Sequence, residues 1–235
     1  MSIRLPLTCL LLTAVTCTLL GIAHAQPKLA IATVPACPPG YLLVEEEMWS
    51  QLMDEAGRHL DRARESFLHG HTRTTALELR KAAIMMRIDA AHGQDRVDLA
   101  LIKSAHELEV MALQLHNPQN TDSIDDLDEV SSKALAALAD HEHLKADLAW
   151  KHHHFHRAGR YLRSSADNLE RATFRARVAL STSTTDVVRD ARVLSGRLIE
   201  GTGYAIDEVG LGIDALGKQI KHFGHAVLQP AIERR

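Results

Sequence analysis

The chain has 235 residues, 46% hydrophobic and 24% charged, which excludes a disordered or collagen-like polymer and supplies enough apolar surface for a sizeable core. A formal charge of −3, with Lys and Arg scattered rather than clustered, offers no footprint for a phosphate backbone, so nucleic acid is not expected among its partners. Only 4% of residues are aromatic while 15 are histidine, so the core must be aliphatic and the imidazoles need an explanation of their own.

Residues 1–25 read as a cleaved signal peptide. Arg4 supplies the cationic start, Leu5 to Ala23 the apolar stretch, and Ala23-His24-Ala25 the small-x-small cleavage pattern. An uncleaved anchor is the competing reading, because the apolar stretch approaches spanning length. The string Ala14-Val15-Thr16-Cys17 is a poor lipoprotein box. Cleavage places the mature chain in the periplasm or outside the cell, and membrane contact is not expected afterwards. It leaves Cys37 as a lone thiol, either free or joined to another chain.

Pro27, Pro35, Pro38 and Pro39 mark residues 26–43 as an extended tether, and only Pro118 and Pro230 follow. Residues 44–229 are expected to form one all-α domain, an antiparallel bundle built from helical hairpins. Apolar spacing of three and four predicts helices over 44–68, 73–91, 95–116, 124–153 and 157–181. Turn signals separate them at His69-Gly70-His71, at His92-Gly93 and between Asn117 and Ser123. Thr182 to Thr185 with Asp186 then reads as the cap of a last, long helix.

An internal repeat joins two hairpins at an offset of 83 residues. Ala63, Phe67, His69, His71, Leu79, Arg80, Ala83 and Met86 stand opposite Ala146, Trp150, His152, His154, Leu162, Arg163, Ala166 and Leu169. In general style this resembles the helical hairpins of tetratricopeptide-like units, without their full consensus or spacing.

The last helix carries the most regular pattern. Gly196, Gly203, Gly210, Gly217 and Gly224 recur every seven residues, each followed three residues later by Ile199, Ile206, Ile213, Ile220 and Val227. Glycine inside a helix costs about 0.5–1 kcal/mol against alanine, so the pattern predicts a seam approached closely by another helix. That helix belongs either to the same bundle or to a partner, including a second copy.

The histidines suggest a metal. His152 and His156, four apart, could hold Zn, Cu or Ni with His154 adding from the turn; His222 and His225 form a second pair, and His92 lies at a turn expected at the same end. His141, in a stripe with Leu138, Leu144 and Leu148, reads instead as a hydrogen-bonded, semi-buried residue. No catalytic motif is present: His-Glu-x-x-His, Gly-x-Ser-x-Gly, a phosphate loop, Cys-x-x-Cys and Glu-x-x-His pairs are all missing. The expected function is therefore a non-catalytic exported binding or interaction protein, with a histidine-rich metal-binding, buffering or pH-sensing protein as the alternative.

Overall fold

The computed structural model describes residues 54–91, 98–117, 123–179 and 181–228, all within the unit Val44–Arg235. The proposed signal peptide and tether, with Cys37, and His92 lie outside them. Among the described residues there are seven helices and no strand: α1 Glu55–Leu68, α2 Thr72–Ala91, α3 Leu99–Gln114, α4 Ile124–Lys151, α5 Phe155–Arg175, α6 Thr182–Glu200 and α7 Ile206–Leu228. None of them is long and apolar enough to cross a membrane.

Side-chain caps set three of the starts. Asp98 accepts from the Ala100 and Leu101 amides, and Ser123 forms a capping box with Asp126. The last cap is Ser181, which accepts from Thr184, one residue ahead of the string expected to hold it.

Consecutive helices pack side by side and antiparallel, and the 28-residue α4 lies among α3, α5, α7 and α1. The bundle thus has a foot, where α1 turns into α2 and α4 begins, and a head, where α2 ends and α4 turns into α5. The core is aliphatic as composition requires: Leu60, Leu79, Met86, Leu101, Leu108, Leu135, Leu162, Leu169 and Leu198 are fully buried. Trp150, Phe155 and Tyr204 gather at the head with ring centroids 5.1–6.4 Å apart.

The repeat is present in three dimensions. At the first turn the His69, Gly70 and His71 amides donate to the Glu65, Phe67 and Ser66 carbonyls; at the second, 83 residues on, His152, His153 and His154 donate to Leu148, Trp150 and Ala149. Both turns use a left-handed residue, Gly70 at φ 75° and His153 at φ 60°. Ala63 and Ala146, Leu79 and Leu162, Ala83 and Ala166, and Met86 and Leu169 are matched pairs of fully buried residues.

The long C-terminal helix is two helices. Gly201 and Gly203 adopt φ of 71° and 67°, a region that glycine enters without penalty, and between α6 and α7 the chain reverses. Arg197 and Glu208 close the corner at 2.9 Å. The reversal breaks the expected seam. Gly203 is in the turn, Ile206 is 71% exposed, and a Cβ added at Gly196, Gly210 or Gly224 would meet nothing within 4 Å. The packed face of α7 keeps Ile213 and Ile220 of that pattern and adds Val209, Leu216 and Phe223. Gly217 does meet a neighbour, His143, whose ring would lie 2.5 Å from an added Cβ. The glycine that lets two helix backbones approach is Gly159 of α5, where a Cβ would sit 2.8 Å from the Ser195 carbonyl of α6.

Candidate functional site

The inward face of α4 is not apolar throughout. Leu138, His141, Glu142, Lys145 and Ala149 recur at helical spacing and are all buried, whereas Leu144 and Leu148, expected beside His141, are each 45% exposed. Asp89 from α2, Asp98 from the cap of α3 and Tyr161 from α5 enclose these three polar side chains near the head.

His141 Nδ1 is 2.9 Å from Asp98 Oδ2, and Nε2 makes an ion-pair contact with Asp89 Oδ2 at 3.3 Å. Both ring nitrogens face carboxylates, which is the environment of an imidazolium. Burial opposes that charge, but the neighbouring carboxylates of Asp89 and Asp98 outweigh it and raise His141 to about 9. Lys145 Nζ donates to Asp89 Oδ1 and lies 5.4 Å over the Tyr161 ring. Burial alone would raise Asp89, yet His141 and Lys145 together hold it well below the usual carboxylate range. Asp98 is lowered too, chiefly by its bond with His141.

Glu142 is the exception. It is completely buried, and as a carboxylate neither of its oxygens has a donor. Burial pushes its acid strength far down, and the neighbouring charge of Asp89 adds to this. Protonated, the same group becomes a donor and can bond to Asp89, which removes the apparent orphan. The cluster therefore holds two anions, Asp89 and Asp98, two cations, His141 and Lys145, and one neutral acid.

A second ionic network ties α1 to α4 and α5 nearer the foot. Arg64 reaches both oxygens of Asp128 at 2.8 and 3.2 Å; Arg175 contacts Asp61 at 2.7 Å and Asp128 at 3.4 Å; Arg171 pairs with Asp54 and Asp61. Beside it, between α1 and α5, a groove of about 580 Å³ is rimmed by Leu68 and Phe174, which are 58% and 69% exposed.

The histidines expected to share a metal are dispersed. His152 and His156 are not on one helix, because α4 stops at Lys151 and α5 starts at Phe155. His152 and His154 flank the turn, ring centroids 6.4 Å apart. His222 and His225 are carried away from the head by the reversal at Gly201; at ~1.5 Å per residue, His222 stands about 24 Å along α7 from Ile206. Among the described residues no group of three His, Cys, Asp or Glu is arranged to hold a metal ion. His141 is buried and hydrogen-bonded, as its stripe suggested. Asp89, Glu142 and Lys145 were not singled out from sequence; the only signal for the last two was their spacing from Leu138.

No protein-family model, curated protein or solved structure matches this chain.

Proposed function

We propose that this chain is a non-catalytic, exported binding protein whose docking surface is the groove between α1 and α5. The observation that carries the reading is the exposure of Phe174 and Leu68 at the rim of a concave surface whose walls carry paired charges. An apolar centre ringed by satisfied polar groups is the usual anatomy of a protein interface, and the groove suits an amphipathic segment of a partner protein. Export rests on residues 1–25 and their cleavage pattern.

A photo-crosslinking residue at position 174 should yield discrete adducts that Leu68→Asp abolishes, and N-terminal sequencing should begin near Gln26. Random adducts insensitive to Leu68→Asp would remove the docking surface. A chain retaining Met1 would remove export by cleavage. Self-association through the open glycine edge of α7 is tested separately: if the chain self-associates, Gly210→Leu should weaken it.

A second reading, divalent metal at the two histidine turns, is favoured by one detail. His69 Nδ1 donates to the Glu65 carbonyl at 2.8 Å, which leaves Nε2 as the free lone pair, and the His69 and His71 rings stack 6.1 Å apart. Calorimetry with Zn²⁺ or Cu²⁺ should show binding that His69→Ala and His152→Ala each reduce; absence of heat would remove this reading.

A further inference from the structure

The head cluster brings an amine, a carboxylate and a neutral carboxylic acid together in a space closed to water. Lys145 Nζ is in hydrogen-bond contact with Asp89 Oδ1, Glu142 lies against Asp89, and Lys145, Asp89, Glu142 and Tyr161 are all buried. We propose that Lys145 and Asp89 condense into an intramolecular isopeptide bond, with Glu142 relaying the protons, so that α2 and α4 become covalently joined.

The chemistry balances within the residues present. An ammonium proton passes to Asp89 along the existing hydrogen bond, which frees the Nζ lone pair. Nζ attacks Cγ, forming the C–N bond and moving the carbonyl electron pair onto oxygen, where the positive charge of His141, with Nε2 3.3 Å from Oδ2, meets the new charge. Glu142 gives its proton to the departing hydroxyl and recovers one from the nitrogen. The C–O bond breaks, water leaves, and a neutral amide remains. Glu142 and His141 end in the protonation states they started from, and no oxidant or other co-reactant is needed.

Three features favour this outcome over a permanent ion pair. Held in contact by packing, the two groups react as an intramolecular pair, which raises effective concentration by orders of magnitude. Lys145 and Asp89 are only 6% and 7% exposed, so little bulk water competes with the two groups for each other. Charge stays balanced after condensation: one cation and one anion are consumed together, and His141 keeps Asp98 at 2.9 Å as its counter-charge. Glu142 also acquires a role that a structural ion pair would not require. A buried acid without a basic partner of its own costs stability, whereas a neutral carboxyl beside the carboxylate under attack can supply the proton that amide formation needs.

Intact mass of the full chain, measured in denaturant, should be lower by one water than its sequence predicts. Trypsin cannot cut after an acylated lysine, so digestion should release a branched peptide joining residues 88–96 to residues 134–151. Lys145→Met and Glu142→Gln should each restore the full mass, the second with helical content unchanged. A wild-type chain of full mass overturns the proposal. A water loss that survives Lys145→Met also overturns it, since that product would be a cyclised aspartate. A branched peptide from Glu142→Gln would strip Glu142 of the relay. Should Lys145→Met fail to fold, the branched peptide of the wild-type chain decides alone.

Discussion

Near the foot, three arginines meet three aspartates, and each buried charge faces an opposite charge. Arg175, only 4% exposed, touches Asp61, Asp128 and the Leu60 carbonyl. At the head, Asp89 is shared between His141 and Lys145 while Glu142 has no cation to itself. Both clusters bury ions between the same two hairpins, yet only the head uses cations whose protonation can change. Guanidinium stays charged at any ordinary pH, which makes the foot a fixed clamp. Imidazole, amine and carboxyl in mutual contact make the head a place where protons can move.

The largest contrast should come from removing one partner of the clamp. Asp128→Ala leaves Arg175 and Arg64 short of a carboxylate, and breaking a buried pair in this way costs about 3–5 kcal/mol, readable as a lower denaturant midpoint at unchanged slope. Glu142→Ala at the head removes a group that is already neutral and, measured against Glu142→Gln so that both chains lack the covalent link, should cost less than half as much.

The next effect is of pH. In the Glu142→Gln chain, which should keep Asp89 and Lys145 as an ion pair, His141 is the head group that titrates above neutrality. Its folded value of about 9 exceeds the unfolded 6.5, so its contribution is fully present below pH 6.5 and is lost as pH rises through 9. At 1.36 kcal/mol per unit the loss is about 3 kcal/mol, and His141→Gln should abolish it. An equal loss in the His141→Gln background would sink this assignment.

A smaller effect concerns Glu142 itself. Its raised value means that the folded chain binds the proton more tightly than the unfolded one, so its contribution falls as pH climbs above 4.5. Relative to wild type, Glu142→Gln should therefore gain stability as pH climbs from 5 to alkaline values, checked by parallel urea melts. Smallest of all, Phe174→Glu, in the groove beside the foot, should shift stability by less than about 0.5 kcal/mol, because the ring is exposed.

Local signals carried much of the fold. Periodicity placed the first five helices, the repeat at 83 residues marked two hairpins whose turns share one hydrogen-bond scheme, and Ser123 capped where a turn was expected. Glycine was harder to read. Five evenly spaced glycines look like one seam, but a residue without a side chain serves a left-handed turn as well as a close contact. Gly201 and Gly203 make the turn, while Gly159, outside any pattern, makes the contact.

The same limit applies to the charges. By itself the sequence determined that the chain is helical, where most helices begin and end, and that its core is aliphatic, because these depend on neighbours within one or two turns. Which carboxylates enter the interior was decided by tertiary structure alone. Asp89 and Lys145 are 56 residues apart, and their meeting depends on how α2, α3 and α5 enclose one face of α4. Nothing in the local sequence distinguishes Glu142 from a solvated surface acid; burial against those helices does, by taking away the water that would have kept it charged.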